Sequence, residues 1–200
     1  MPSTADTDLV NRAFGKIDAR TITSFSDGTK EADLATDYYE STLDELLAEH
    51  PWRFAMTRVE LSQTTAVDGW DYAFTLPSDL VKIVEMADNE NFNGAARFRH
   101  HREGNSILTY TDQMWLRYVY QFRTVSRMPP LFQEAFCQRF ASYVGPHLDR
   151  SRAQSESLYE QSERTLAKAK SSEAQEESHE EFPESDWVTC RYGNATLMND

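Results

Sequence analysis

The sequence predicts an α+β fold that is predominantly helical: a helical bundle with an inserted antiparallel β-region and an extended C-terminal arm. Three observations carry this expectation. Apolar residues recur at helical spacing from Thr29 to Glu49 and stop at Pro51. After Trp52 the period shortens towards two, and helical spacing returns at Pro129-Pro130. Between Glu173 and Asp186 stand seven acidic residues and no Lys or Arg, which predicts a solvated stretch. The expected layout is one domain over residues 1–170, helical over 6–55 and 129–170 with the β-insertion over 57–127, followed by an acidic arm over 171–200.

Asp6 to Ala19 reads as a short helix with Leu9, Val10, Ala13, Phe14 and Ile17 on one side. The long helix that follows the connector has Thr29 as its expected N-cap, with Glu31 and Asp33 suited to the positive end of its dipole. Its apolar positions are Ala32, Ala35, Tyr39, Leu43, Leu46 and Leu47. Strands are expected around Val59 and Leu61, at Tyr72 and Phe74, from Leu80 to Met86, from Arg97 to Arg102 and from Ser106 to Tyr110, with a hairpin turn at Glu103-Gly104-Asn105. From Met114 to Arg123, Leu116, Tyr118, Tyr120 and Phe122 share one face and Arg117 and Arg123 the other, so one face is expected in the core and one in water. Pro129-Pro130 opens a helix through about Leu148 with a bulky stripe of Phe132, Ala135, Phe136, Phe140, Tyr143 and Val144, kinked at Gly145-Pro146. The last helix, about Ser151 to Lys170, has only Leu158, Tyr159, Leu166, Ala167 and Ala169 to bury, so it is expected at a surface or between subunits.

A composition of 40% hydrophobic and 12% aromatic residues supports a packed core and argues against wholesale disorder. The net charge of -13 argues against a protein that grips nucleic-acid phosphates, although an acidic wall suits a surface past which DNA slides. Cys137 and Cys190 have neither disulfide-framework nor metal-knuckle spacing, which fits a reducing compartment. The N-terminus lacks a basic or apolar targeting run, and no stretch is apolar enough to span a bilayer, so a soluble, cytosolic chain with no membrane association is expected.

His50, His100, His101, His147 and His179 form no ligand pattern with Cys or carboxylates at one-turn spacing, and the adjacent pair His100 and His101 face opposite sides of a strand. There is no phosphate-cradling Gly-rich loop with Lys-Ser/Thr, no G-x-S-x-G elbow and no catalytic Cys signature. The expectation is a structural protein with no catalytic residues, no cofactor and no metal. Trp52 and Phe54 are expected to bury the junction where the long helix turns into the β-region.

Between Arg97 and Arg127 six arginines stand against two acids, Glu103 and Asp112, whereas the segment after Lys170 is acidic. Ordinary strand-surface arginines and a solvated tail explain this equally well. The functional reading is a subunit or partner interface that uses Arg97, Arg99 and Arg102 against acidic segments, fixing register more than affinity. Trp187, Val188 and Tyr192 form an aromatic and apolar patch within a polar tail, the pattern of a docking arm.

Several segments, taken in order, resemble the head-to-tail adaptors of short-tailed bacteriophages, of the tail tubular protein A type. They are Asn11-Arg12-Ala13-Phe14-Gly15, then Ile22-Thr23-Ser24-Phe25-Ser26-Asp27-Gly28-Thr29-Lys30-Glu31-Ala32, and the helix end Leu46-Leu47-Ala48-Glu49-His50-Pro51-Trp52-Arg53-Phe54-Ala55. Leu76-Pro77-Ser78-Asp79-Leu80-Val81-Lys82-Ile83, the pair Ile107-Leu108-Thr109 and Leu116-Arg117-Tyr118, and Met128-Pro129-Pro130-Leu131-Phe132 follow. Together they span roughly Leu9 to Ala169. Phe14 stands where a leucine is more usual in that family, and the acidic tail after Ser171 matches no part of the pattern.

The resemblance implies a virion protein at the head-tail junction, assembled as a homo-oligomeric ring of about twelve subunits with two complementary faces per subunit. Its partners would be a portal protein above and a tail nozzle protein below, with DNA only passing through the lumen. A C-terminal arm would engage the portal. The competing class is a non-viral cytosolic helical scaffold or regulatory oligomer. On the interface reading, changing Arg97, Arg99 and Arg102 together to Glu is expected to abolish ring or partner assembly at low salt, measured by sedimentation; unchanged assembly would refute it.

Overall fold

Each helix begins where a polar side chain or a proline can serve its first turn. In the computed structural model of the chain, which describes residues 2–92 and 99–175, α1 spans Thr4–Gly15. The Ser3 hydroxyl accepts from the Asp6 amide, and the Asp6 carboxylate accepts from the Ser3 N–H, a reciprocal capping box. The same carboxylate accepts the buried Tyr39 hydroxyl at 2.6 Å, which ties α1 to α2, Lys30–Glu49. Thr29 caps α2 by accepting from the Ala32 amide at 3.2 Å, and His50 goes extended ahead of Pro51, as the residue before a proline must to avoid its ring. Prolines 129 and 130 open α3, Pro130–Val144, where a missing N–H costs nothing. The turn Gly145–Leu148 tightens to a 3-10 helix in place of the expected kinked α-turn, and a left-handed Asp149 sends the chain into α4, Arg152–Gln175.

Among the described residues seven strands lie between α2 and α3: β1 Met56–Glu60, β2 Ser62–Thr64, β3 Tyr72–Thr75, β4 Leu80–Ala87, β5 His100–Glu103, β6 Ser106–Thr109 and β7 Trp115–Tyr120. They form two antiparallel sheets, one ordered β1-β7-β4 and one ordered β2-β3-β6-β5. The chain passes between the sheets at Leu61, whose amide donates to Met114 at 2.8 Å where β7 is about to begin. The expected hairpin between β5 and β6 forms, with a left-handed Gly104 in its turn and Glu103 opposite Ser106.

The three-stranded sheet lies between the helices and the second sheet. On β7, Val119 joins the helical core with Leu46, Trp52, Phe132 and Phe136, while Leu116 and Tyr118 join a second core with Leu61, Phe74, Leu76, Ile107 and Met114. The face expected to be wet is therefore also packed. Its arginines are only partly exposed and pair with acids, Arg123 with Asp44 of α2 at 2.7 Å and Arg117 with Glu85 of β4 at 3.1 Å. On β4, Leu80, Ile83 and Met86 face the second core and Val81 and Val84 the first, a spacing of three that no regular strand can make. Two register shifts, between Leu80 and Lys82 and between Ile83 and Glu85, each place one extra residue and make the spacing fit.

These observations correct the expected fold class. The structure is 48% helix and 20% strand, a mixed α+β fold with four α-helices and two antiparallel sheets, and not a helical bundle with an insertion. The reason is physical: a sheet with two apolar faces cannot sit as an appendage on a bundle, because each face needs its own cover. Residues 171–175, expected to start the arm, continue α4; the rest of the expected arm lies outside the described residues.

The polar helix α4 finds its neighbour within the chain. It lies along α3 and buries Ser155, Leu158, Ser162, Leu166 and Ala169, a stripe of small and medium residues one turn apart, while Ala167 is exposed and Tyr159 is 41% exposed. Tyr159 stays outside because the Arg139 guanidinium lies 4.2 Å from its ring centroid. Arg139, 1% exposed in the middle of the α3 stripe, donates Nε–H to Ser162 Oγ at 2.8 Å. Its two terminal nitrogens bond Glu45 of α2 and Glu163 of α4, with Glu49 3.6 Å away. Glu45 also accepts the Tyr143 hydroxyl, and Glu49 pairs with Lys170 at 2.8 Å.

Removing this cation leaves three carboxylates gathered around a buried gap. Because Glu45 and Glu163 keep 38% and 49% of their side chains in water, Arg139→Leu is expected to cost about 3 kcal/mol, the lower end for a broken buried pair. Urea unfolding measures it; a variant within about 1 kcal/mol of the parent would show that the network is dispensable.

Candidate interaction site at the helix-to-sheet junction

Pro51 stops α2 and sends the next residue inward. Trp52 is 1% exposed, and its indole Nε1–H donates to the Leu46 carbonyl at 2.8 Å, one of the last carbonyls of α2 and so without an intrahelical donor. Its ring meets His50 edge-on at 4.8 Å and Phe132 of α3 edge-on at 5.1 Å. Phe54, in the 3-10 turn Arg53–Ala55, meets Phe132 at 5.0 Å and Phe122 at 5.3 Å, both edge-on. The junction is thus an aromatic cluster that joins the end of α2, the start of α3 and the segment leaving β7.

The cluster continues to the surface as a mainly apolar groove. Its walls are Trp52, Phe54, Pro129, Pro130 and Leu131 on one side and Ala169, Ser172 and Glu173 of the last turns of α4 on the other. Leu131 is 38% exposed because it stands one residue off the buried stripe of α3. Glu173 holds the end of α4 over the junction: its carboxylate accepts the Arg53 amide at 2.6 Å and lies 3.3 Å from His50 Nε2. Burial holds the His50 imidazole below its usual pKa of 6.5, against the opposing pull of Glu173.

Of the arginines read as an interface, Arg99 and Arg102 are described, and they stand on opposite faces of their strand. Arg99 turns its guanidinium onto Trp70 at 5.6 Å and Tyr110 at 5.9 Å, where Trp70 also stacks on Tyr110 at 4.9 Å and on His101 at 6.3 Å. Arg102 is exposed one residue beyond His101 on β5, and strand alternation puts it on the opposite face from Arg99 and His101. Arg97, Trp187, Val188 and Tyr192 lie outside the described residues.

Among the described residues no three or more His, Cys, Asp or Glu are grouped to hold a metal ion, and no helix is long and apolar enough to cross a membrane. Cys137 is buried, its Sγ 3.5 Å from the Leu9 carbonyl, and burial pushes its thiol up to about 11. Sequence reading missed three features. Arg139 was legible as a charge three residues after Phe136 and four before Tyr143, Leu131 as an apolar residue off the stripe, and Trp70 only as an aromatic in a loop, with nothing to say that it meets Tyr110 and Arg99.

Trp52→Ala is expected to cost about 3–5 kcal/mol, the range for a buried aromatic, in thermal or denaturant unfolding. Wild-type stability would sink the assignment of Trp52 as the junction's core. His50 makes a separate prediction. Its imidazole takes a proton less readily folded than unfolded, so its contribution to stability is complete above pH 6.5 and is lost as pH falls through the lower folded value. His50→Gln is therefore expected to lose less stability than the parent between pH 7 and about pH 5.5, in paired urea titrations. Parallel losses would rule this out. Compared with known proteins, the chain matches no family model and no curated sequence.

Proposed function

We propose that this chain is a structural subunit of a head-to-tail adaptor ring of a short-tailed bacteriophage, joining a portal above to a tail nozzle below and lining part of the channel through which DNA passes. One observation carries the reading: the segments that resemble the adaptors, scattered along the sequence, contact one another in space. Asn11 clamps Ile22 with two bonds of 2.8 Å, its amide donating to the Ile22 carbonyl and its oxygen accepting the Ile22 N–H. Tyr118 donates to Asp79 at 3.1 Å, and Trp52 and Phe54 both pack on Phe132. Three pairs of the segments thus touch directly, which supports reading them as parts of one fold pattern.

The chemistry is in keeping with this role. The net charge of -13 would repel a phosphate backbone and let it slide. α2 carries seven acids against Lys30 alone, and the Arg99, Trp70 and Tyr110 cluster lies on the four-stranded sheet, so the subunit has chemically unlike surfaces of the kind a heterologous ring interface uses. Electron microscopy of the purified chain, alone and mixed with the portal of the same virus, tests the proposal. A ring of about twelve subunits seated on the portal is expected. Absence of any portal complex over a range of salt would overturn it.

A further inference from the structure

We infer that the groove at the helix-to-sheet junction is a docking site for this chain's own segment Trp187-Val188-Thr189-Cys190-Arg191-Tyr192, bound within the same molecule. This goes beyond the proposed function and does not depend on it. The groove is built but uncovered: Trp52, Phe54, Pro129, Pro130 and Leu131 present an apolar and aromatic surface, and Leu131 is more than a third exposed. Of the other large apolar side chains exposed to that degree, Val67 stands on the loop between β2 and β3, Tyr159 carries the Arg139 guanidinium and Tyr110 is stacked on Trp70. Of these four, Leu131 is the one that lines the groove.

The position at which α4 hands on the chain selects the occupant. Ser172 and Glu173 line the groove themselves, and the described part of the chain runs two residues further, to Gln175. The sequence then runs through residues 176–186, a polar and mainly acidic stretch, before Trp187. Eleven residues from 176 to 186 reach up to about 36 Å when extended, ample for a return to a groove that begins at the end of the same helix. A tether of that length holds the segment at an effective concentration in the millimolar range, so a weak apolar contact suffices for docking in cis. Trp187, Val188 and Tyr192 supply the apolar and aromatic surface that the groove matches, and prolines 129 and 130 offer flat faces for an indole to lie on.

The native Cys190 makes the inference testable by disulfide trapping in the full chain. Leu131→Cys places a thiol in the groove at an exposed position, and the buried, weakly acidic Cys137 stays silent. With oxidised glutathione as the oxidant, itself reduced to two thiols, a 131–190 disulfide is expected at monomer mass, identified by peptide mapping. Val67→Cys, on an exposed loop of the second sheet, is the collision control. Trapping at 131 at least tenfold faster than at 67, and slowed tenfold by Trp187→Ser with Val188→Ser, supports the inference. Equal rates at the two positions overturn it, as does insensitivity to the double serine change. Covalent dimers in place of the intramolecular bond also overturn it, because the groove would then take a neighbouring copy's segment. A portal ring can fail to form while the trap succeeds, or the reverse, so the two readings fail separately.

Discussion

The helical layer depends on one buried positive charge. Arg139 is the point at which α2, α3 and α4 meet, and each contributes what the cation needs: Glu45 and Glu49 from α2, Tyr143 beside it on α3, Ser162 and Glu163 from α4. A guanidinium suits this place because its donors form a fixed planar fork, so several acceptors are held in set directions. A lysine could satisfy the charge but not the geometry. The consequence reaches α4, whose stripe of Ser155, Leu158, Ser162, Leu166 and Ala169 buries little apolar area of its own. That helix is positioned by polar contacts as much as by hydrophobic burial, and its last turns in turn form one wall of the junction groove.

The second organising feature is the sheet β1-β7-β4, which serves two cores at once. Alternation along β7 sends Val119 to the helices and Leu116 and Tyr118 to the other sheet. Tyr118 remains polar at its tip, where its hydroxyl bonds Asp79; burial and that carboxylate push its pKa up to about 12. The helices are thereby linked to the four-stranded sheet through a single layer, and a change on one face of β7 is felt on both.

Much of this was legible from the sequence, and the gaps have physical causes. Local signals were sufficient where local chemistry decides: Thr29 as a cap, Pro51 as a stop, Gly104 as the hairpin glycine, and Pro129-Pro130 as a helix start. They failed where tertiary partners decide. The arginines opposite the apolar face of β7 looked solvated because their partners, Asp44 and Glu85, lie far away in sequence. The bulges of β4 hid a second apolar face, since a spacing of three fits neither a strand nor a one-sided sheet. In α4, serines were buried and Tyr159 left out because Arg139 had already taken the place beneath that ring, which no periodicity on α4 alone reveals. At the junction Trp52 is buried and Phe54 half-buried; the groove beside them needed the fold to bring Pro129 and Ser172 together.

The double bulge of β4 has a consequence for life at high local concentration. β4 is an outer strand of its sheet, with a row of main-chain groups on one side that β7 does not use. A flat strand in that position is a template onto which another copy's strand can add without limit. Two irregularities within eight residues, with Lys82 between them directing its amine towards the Glu49 carbonyl at 3.5 Å, spoil the regular spacing that such growth requires. Copies crowded side by side are therefore steered to meet through side chains, whose fit can be finite and closed, and away from open-ended sheet extension.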